Sequence, residues 1–230
     1  MDLSRLELIT PHLDEIRNHT ILIFGLGGVG SFAAEAIARC GFHHLILVDK
    51  DTVDPSNLNR QIVGLTSTIG KAKTNVMEER IKDINPDVIV DAFYQEVSLD
   101  TIDSFFLSKV DFIVEAIDDL DAKIIIAKMA QEKNIPLVAS MGFANKFDPT
   151  KIKIARANQT HTDPLAKKYR YELKQQGVDL SPLVVFSEEN PTKPIGNHAK
   201  LGSTSFVPSS AGLLIASIVF NYYRKEYLDE

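Results

Sequence analysis

A strand pattern that runs into a glycine-rich loop constrains this chain more than any other feature. Residues 21–24, Ile-Leu-Ile-Phe, form a short apolar run typical of a buried parallel strand. The G-x-G-x-x-G spacing follows at once, and the next ten residues have helical composition. Such a loop lets backbone N–H groups at a helix N-terminus approach phosphate oxygens. It supplies four candidate phosphate-binding glycines: Gly25, Gly27, Gly28 and Gly30.

A second strand pattern, residues 45–48, ends at Asp49, which lies 24 residues after Gly25. An acid at this position accepts hydrogen bonds from ribose hydroxyls in dinucleotide-binding folds. Strand, glycine loop, helix, second strand and acid together predict a nucleotide site. The plainer alternative is that the glycines serve only a tight turn and Asp49 caps a strand.

The rest of the chain alternates strands and helices, which predicts one α/β domain over residues 1–230 with a Rossmann-like, doubly wound, mostly parallel sheet. Residues 18–145 form the predicted nucleotide-binding core. Residues 146–230 form a predicted substrate-facing α/β extension with a closing helix. Further strands are expected at 88–93, 112–115, 137–140 and 152–155, helices at 3–17, 70–85, 122–133, 164–176 and 208–223, and a mobile loop or lid at 188–205.

Four polar residues follow the predicted strands at the edge where parallel strands end, here called the carboxyl edge. Asn57 and Arg60 come after the second strand, Lys73 begins the next helix, and Asp118 follows the fourth strand. Ligands of open α/β sheets bind at this edge. Two cations, an amide and a carboxylate suit a triphosphate with magnesium better than a dinucleotide. Taken singly, each residue also has a structural explanation, such as a surface lysine, a helix cap or an ion pair.

Composition narrows the class further. Cys40 is the single cysteine, which excludes a disulfide framework and a Cys-pair zinc site and suits a reducing, cytoplasmic location. The N-terminus has no basic, apolar leader pattern. The apolar tract 211–220 is short for a bilayer span, so we expect a core helix, with peripheral membrane association as the alternative.

Charge is distributed unevenly. The net charge of −6 argues against a generic nucleic-acid binder, and no DNA partner is expected. Residues 146–204, however, carry ten basic and six acidic residues, so this segment is +4 and the remainder −10. A positive face on an acidic body fits a polyanion docking on one side. Scattered, solvated lysines would give the same count.

The motifs GLGGVG, VDKDTVDPSNLNRQ, GKAK and AIDD closely resemble the ATP-dependent adenylyltransferases related to ubiquitin-activating enzymes. The resemblance implies that ATP and Mg²⁺ bind here and that a carboxylate is activated as an acyl-adenylate. Arg5 resembles an N-terminal arginine that this family inserts into the partner subunit's nucleotide site, which implies a homodimer. The resemblance also implies a nucleotide and metal site, with Asp118 holding the magnesium. The residues of this site would be Asp49, Asp51, Asn57, Arg60, Lys73 and Asp118.

The motifs of the second half, among them IPLVASMGFANKFDPTKIKIA, THTDPLAKKYR and SFVPSSAG, are similar to the branch that cyclises threonylcarbamoyladenosine next to the anticodon of tRNA. That branch acts as an ATP-dependent dehydratase, and a sulfur-transfer protein is a further possible partner. For the tRNA we expect basic contacts at Lys146, Lys151, Lys153, Lys167, Lys168 and Arg170. His161 is a candidate substrate contact, and so is His198, although a loop histidine is more often a surface or capping residue.

Because Cys40 is the only cysteine, no thiol in the second half can accept an acyl group. The resemblance therefore implies ring closure by a nucleophile within the substrate itself, with effective molarities of about 10⁵ M or more when well oriented. Three rivals remain open. They are adenylation of a ubiquitin-like or sulfur-carrier C-terminus, nicotinamide-dependent oxidoreduction, and a non-enzymatic scaffold that only binds nucleotide.

Overall fold

The computed structural model of the protein describes residues 1–196 and 201–226. Its described residues form one seven-stranded sheet with helices on both faces. The strands are β1 (Thr20–Phe24), β2 (His44–Asp49), β3 (Ile89–Tyr94), β4 (Phe112–Glu115), β5 (Leu137–Ser140), β6 (Ile152–Arg156) and β7 (Leu183–Ser187). The helices are α1 (Ser4–Glu7), α2 (Leu13–Arg17), α3 (Gly30–Arg39), α4 (Lys73–Ile84), α5 (Leu120–Lys133), α6 (Pro164–Gln175) and α7 (Phe206–Glu226).

The strand order is β3-β2-β1-β4-β5-β7-β6. All neighbouring pairs are parallel except β6 with β7, which is antiparallel. The chain winds outward from β1 toward β3 and then returns to add β4 on the other side of β1. Strand order therefore reverses between β1 and β4, which is where open α/β sheets bind ligands. The predicted doubly wound, mostly parallel α/β fold is confirmed.

Successive side chains of β1 point to opposite faces of the sheet and therefore lie in two separate cores. Ile21 and Ile23 pack with the buried residues of α3, α4 and α7 on one face. Leu22 and Phe24 pack with those of α5 and α6 on the other. All four side chains are fully buried, as expected for a central parallel strand covered on both faces.

Helix α7 is the predicted closing helix, and it begins at Phe206, two residues earlier than expected. Among the described helices it alone is long and apolar enough to cross a bilayer by length and composition, with 44% of that window buried. It packs closely on α3, since a Cβ at Gly212 would lie 2.3 Å from the carbonyl oxygen of Val29. Its buried residues, Val207, Ala211, Ile215 and Val219 among them, join the core, as the sequence predicts.

Two parts of the predicted fold are wrong. The expected helix 3–17 is two short helices, α1 and α2, separated at Pro11 and at His12, whose φ is 56°. Proline lacks an N–H and disfavours a helical conformation in the residue before it, so one continuous helix cannot form. Strand β7 was not predicted, although it lies between β5 and β6 and pairs with both.

The predicted loop 188–205 contains no helix or strand in its described residues, which are 188–196 and 201–205. His198 lies outside the described residues. The part from residue 201 onward returns to the carboxyl edge, where it contacts the loop after β5.

Candidate functional site

A cavity of about 810 Å³ opens at the carboxyl ends of β1, β2, β4 and β5. This volume lies within the roughly 300–1,000 Å³ typical of small-molecule sites. The cavity spans the point where strand order reverses. Its walls include nearly all the predicted nucleotide residues: Gly25, Gly27, Gly28, Asp49, Asp51, Asn57, Arg60, Lys73 and Asp118.

The glycines of the first loop have two different tasks. Gly25 has a φ of 86°, and a Cβ there would lie 2.6 Å from the carbonyl oxygen of Ala116. A Cβ on Gly30 would lie 1.8 Å from the carbonyl oxygen of Gly25. These two glycines therefore allow the turn to pack against the loop after β4. Gly27 and Gly28 lie on the cavity wall at the N-terminus of α3, where backbone N–H groups can meet phosphate.

Asp49, the last residue of β2, holds the glycine turn in place. Its Oδ2 accepts a hydrogen bond of 2.6 Å from the N–H of Leu26, and its Oδ1 accepts one of 2.8 Å from the N–H of Asp51. Burial raises the pKa of this carboxyl group, while the nearby Lys73 ammonium and the two N–H donors oppose that shift. Each carboxylate oxygen keeps a second lone pair, so a ribose hydroxyl can still donate to it.

Lys73 brings a buried ammonium to the cavity wall. Its side chain is 5% exposed, and Nζ lies 2.8 Å from Oδ2 of Asp51, whose side chain is 56% exposed. The N–H of Lys73 also donates to the carbonyl oxygen of Asp51 at 3.1 Å. The lysine thus begins α4 with its charge held in a fixed place by the segment after β2. A held cation of this kind suits a phosphate oxygen.

Asn57 and Arg60 lie on the turn that follows. The N–H of Asp54 donates to Oδ1 of the buried Asn57 at 3.1 Å, which fixes the amide. Arg60 is half-buried, and its Nη1 donates to Ser56 O at 2.7 Å and to Asn59 Oδ1 at 3.1 Å. Both contacts use one guanidinium nitrogen. Among the described residues Arg60 pairs with no carboxylate, so the other N–H groups of its guanidinium can bind phosphate oxygens.

Asp118 is exposed and lies in the loop between β4 and α5. The adjacent Asp119 caps α5 by accepting the N–H of Ala122 at 2.9 Å. Within the described residues, no group of three His, Cys, Asp or Glu side chains is placed to hold a metal ion. Phosphate-bound Mg²⁺ uses one or two carboxylates together with phosphate oxygens and water. An exposed Asp118 on the wall of a phosphate site fits that requirement.

A buried ion pair beneath the cavity was not predicted. Glu115 and Lys123 are both fully buried, with Nζ 2.6 Å from Oε2. Lys123 also donates to the carbonyl oxygens of Ile117 and Ser140, at 3.0 and 2.7 Å. Burial raises the pKa of Glu115, opposed by the ammonium of Lys123. The pair joins the loops that follow β4 and β5, both of which line the cavity.

The prediction that Lys146 lies on a tRNA-facing surface is wrong. Its side chain is 2% exposed, and Nζ donates to Gly142 O at 2.8 Å, to Asp163 Oδ2 at 3.2 Å and to Ser187 O at 3.4 Å. Charge counting along a sequence cannot distinguish this buried lysine from its exposed neighbours. Lys146 therefore fastens the loop after β5 to α6 and to the end of β7.

The other predicted basic residues lie on or beside β6 and on α6. Lys151, Lys153, Lys167 and Lys168 are exposed. Arg170 is half-buried, and its Nη1 donates to the hydroxyl of Thr160. None of these five lines the cavity, so they form an outer surface separate from the nucleotide residues.

Arg5 is exposed on α1 and does not line the cavity of its own chain. Leu3, close to Arg5 in the sequence, packs against Gly41. A Cβ added to Gly41 would lie 2.5 Å from Leu3 Cδ1. Gly41 follows the C-terminus of α3, whose N-terminus carries the glycine turn. A ten-residue helix is about 15 Å long, so α1 and the cavity lie at opposite ends of α3.

Gln61 is a site residue that sequence reasoning missed. It is 7% exposed and lines the cavity, and its Oε1 has no hydrogen-bond partner among the described residues. Its Nε2 would lie 4.0 Å from a Cβ at Gly27. The signal was its position directly after Arg60, in Asn-Arg-Gln. A buried amide with unused hydrogen-bonding capacity beside the glycine turn is suited to a polar ligand.

His161 is exposed and does not line the cavity. Its Nε2 lies 3.4 Å from Glu188 Oε1, and its Nδ1 lies 3.0 Å from the hydroxyl of Thr162. The structure thus places it in a surface cluster, in line with the plainer expectation for a loop histidine.

Comparison with known sequences gives consistent matches. A model of the ThiF family matches residues 3–220. The tRNA threonylcarbamoyladenosine dehydratase of Bacillus subtilis (strain 168) is 42% identical over 222 residues, covering 90% of this chain and 87% of that protein. The Escherichia coli (strain K12) protein of the same name is 39% identical over 154 residues, covering 67% of this chain and 58% of that protein.

Solved structures agree. A structure described as TcdA (CsdL) has a TM-score of 0.92 at 30% identity, covering 99% of this chain and 95% of that one. E. coli tRNA N6-threonylcarbamoyladenosine dehydratase in complex with AMP has a TM-score of 0.88 at 32% identity, covering 95% and 91%. Its complex with ATP has a TM-score of 0.87 at 31% identity, covering 95% and 90%. The chain therefore belongs to the ThiF family, and within it to the branch of the tRNA threonylcarbamoyladenosine dehydratases.

Proposed function

We propose that this protein uses ATP to dehydrate threonylcarbamoyladenosine next to the anticodon of tRNA, closing the threonylcarbamoyl group into a ring. The main support for this proposal is that one cavity is lined by the glycine turn, Lys73, Arg60 and Asp118. It occurs in a chain 42% identical to a Bacillus enzyme of that name. E. coli TcdA, which shares this fold, has been solved with AMP and with ATP.

The first step forms an acyl-adenylate. The threonyl carboxylate attacks the α-phosphorus of ATP, a P–O bond forms, and the bond to pyrophosphate breaks. Lys73 and Arg60 are placed to stabilise charge on the α-phosphate and on the departing pyrophosphate. Preorganised donors of this kind contribute about 3–4 kcal/mol each to the transition state. When bound, Mg²⁺ would neutralise phosphate charge, and Asp118 is the residue we propose to hold it.

The second step closes the ring within the substrate. The ureido group attacks the activated carbonyl, loses a proton and expels AMP. The carboxylate oxygen leaves with AMP, so the nucleoside has lost the elements of water overall. This route needs no protein thiol. Cys40 follows α3 at the end remote from the glycine turn, and its thiol pKa is raised to about 11 by burial.

We assign the ribose to Asp49, the phosphates to the glycine turn with Asn57, Arg60 and Lys73, and the positioning of Lys73 to Asp51. Residues 18–145 then act as the nucleotide-binding core. Residues 146–230 would face the substrate, and the exposed lysines on and beside β6 and on α6 would contact tRNA phosphates. Such contacts fit a cytoplasmic enzyme that acts on tRNA.

We further propose a homodimer in which Arg5 of each chain reaches the cavity of the other. The support is that Arg5 is exposed and lies at the opposite end of α3 from its own cavity. Gel filtration together with ATP affinity of an Arg5→Ala variant tests this. A monomeric wild-type protein, or unchanged ATP affinity in the variant, would contradict it. A sulfur-transfer protein is a further candidate partner, to be tested by co-purification.

ATP–pyrophosphate exchange, measured with and without modified tRNA, tests the proposed function. Exchange stimulated by tRNA carrying threonylcarbamoyladenosine is the expected result. Exchange stimulated instead by a small carrier protein would favour activation of a protein C-terminus. No exchange in either case, with nucleotide bound, would favour a scaffold.

A further inference from the structure

Part of the cavity wall comes from a segment in the C-terminal part of the chain. Residues 201–204, here called the strap, come shortly before α7. Leu201, Gly202 and Ser203 line the cavity. The strap is anchored to the nucleotide half as well, because Asn59 Nδ2 donates to the carbonyl oxygen of Ser203 at 3.0 Å.

Two groups of Asn145 contact the strap, and a third contacts an earlier part of the same loop. Its N–H donates to Gly202 O at 2.8 Å, and its Oδ1 accepts the N–H of Gly202 at 2.7 Å. Its carbonyl oxygen accepts the N–H of Thr192 at 2.7 Å. The side chain therefore completes a two-bond pairing with Gly202 of the kind that two strands make.

The local geometry suits asparagine at this position. Asn145 has a φ of 58°, in the left-handed region that asparagine tolerates better than most residues. Contact with the strap is close, since a Cβ on Gly202 would lie 3.0 Å from Asn145 Oδ1. The loop that carries Asn145 is itself fixed, because Lys123 and Lys146 donate to the carbonyl oxygens of Ser140 and Gly142. A side-chain contact between two held segments gives this wall a defined position.

The chemistry proposed above makes such a wall necessary. An acyl-adenylate can react with water as well as with its own ureido group. Attack by water would regenerate the carboxylate and release AMP, so ATP would be consumed with no change in the tRNA. Active sites that form reactive intermediates limit this loss by excluding water.

We infer that Asn145 is a positioning residue that holds the strap in the cavity wall and thereby protects the acyl-adenylate from hydrolysis. The inference rests on the proposed function. Asn145 touches no reacting atom in this account. Its role is to determine how the intermediate is divided between ring closure and water.

The test uses the full-length protein, ATP and tRNA carrying threonylcarbamoyladenosine, and measures AMP released per cyclised nucleoside at early times. For Asn145→Gly, which removes the side chain and keeps the backbone conformation accessible, we expect about a fivefold rise in this ratio, the factor for one typical hydrogen bond. Asn145→Asp, which keeps the acceptor oxygen, should restore a ratio near that of the wild type. Gly202→Ala, which presses on Asn145 from the strap, should raise it.

Asn134→Gly is the matched control, because Asn134 has a φ of 53° and is exposed at the C-terminus of α5, away from the cavity. It should leave the ratio unchanged. In water enriched in ¹⁸O, Asn145→Gly should place excess label in the carboxylate of recovered substrate. The same experiment with the wild-type protein gives the background, because any label that enters by hydrolytic reopening of the product ring appears there as well.

Two results would overturn the inference: a wild-type ratio in Asn145→Gly, or slower turnover with no rise in either AMP or label. The second would mean that Asn145 only supports folding. Failure of the proposed function itself looks different, because the wild-type protein would then form no cyclised nucleoside at all.

Discussion

The ammonium of Lys73 lies 2.8 Å from Oδ2 of Asp51, and the N–H of the same lysine donates to the carbonyl oxygen of Asp51 at 3.1 Å. This double contact fixes both the start of α4 and the charge that it carries into the cavity. The lysine is buried while its partner is exposed. The cation is therefore held in place without being sealed away from a ligand.

We predict that Lys73→Met lowers turnover by roughly a hundredfold or more, because it removes a preorganised charge from the transition state. Arg60→Ala should have an effect of the same order. Steady-state AMP formation with modified tRNA measures both. Lys71→Met is the control, since Lys71 is an exposed neighbour that does not line the cavity. Near-normal turnover in a folded Arg60→Ala or Lys73→Met enzyme would contradict the assignment.

If Asp51 acts through Lys73, the two substitutions should not add. Asp51→Asn should lower turnover less than Lys73→Met, and the double variant should be no slower than Lys73→Met alone. Full additivity in this cycle would show that Asp51 has an independent role.

Gln61→Glu is predicted to weaken ATP binding by about tenfold or more, since it places a carboxylate beside the glycine turn and removes an amide that can meet a charged group. Calorimetric titration with ATP measures the change. Gln175→Glu adds the same charge at an exposed position on α6 and should bind ATP normally. Wild-type affinity in Gln61→Glu would mean that the unpartnered amide does not face the ligand.

Replacing Lys151, Lys153, Lys167 and Lys168 by serine should weaken tRNA binding and reduce its dependence on salt. If each lysine meets one phosphate, the slope of log affinity against log salt should become shallower by about 3. The measurement is filter binding between about 50 and 200 mM salt. Replacing Lys82, Lys109, Lys128 and Lys133 is the charge-matched control. An unchanged slope in the first variant would place the tRNA elsewhere.

Cys40→Ala should retain full turnover, because no acyl group passes to a protein thiol in this account. Burial raises the pKa of the Cys40 thiol to about 11, so only a small fraction is thiolate at neutral pH. Alkylation should accordingly be slow at pH 7 and accelerate as the pH rises toward that pKa. Loss of activity in a folded Cys40→Ala protein, or isolation of a thioester at Cys40, would support the ubiquitin-activating type of chemistry instead.

The grouping of the candidate nucleotide residues at one cavity could be predicted because its signals are local. The glycine spacing, Asp49 at a strand end, and Asn57 and Arg60 shortly after it are all fixed by positions within one strand–helix–strand unit. To predict where Lys73 and Asp118 lie, one further rule was needed. The carboxyl ends of parallel strands meet at one edge of the sheet. The cavity brings these residues together.

The parts that could not be predicted depend on contacts between distant segments. Lys146 and Lys151 look alike in the sequence, yet one is buried against Asp163 and the other is exposed. Strand β7 joins β5 only after α6 has intervened, so no short-range pattern indicates its place. The pairing of Asn145 with Gly202 spans 57 positions and combines one backbone hydrogen bond with one made by a side-chain oxygen.

The most direct test of the central claim follows the oxygen that the substrate loses. The tRNA is modified with threonine labelled by ¹⁸O in its carboxylate, and the nucleotide products of one turnover are analysed by mass spectrometry. The account predicts pyrophosphate without label and AMP carrying one ¹⁸O atom, because the carboxylate oxygen bonds to the α-phosphorus. Unlabelled AMP, or ADP with labelled phosphate, would contradict it.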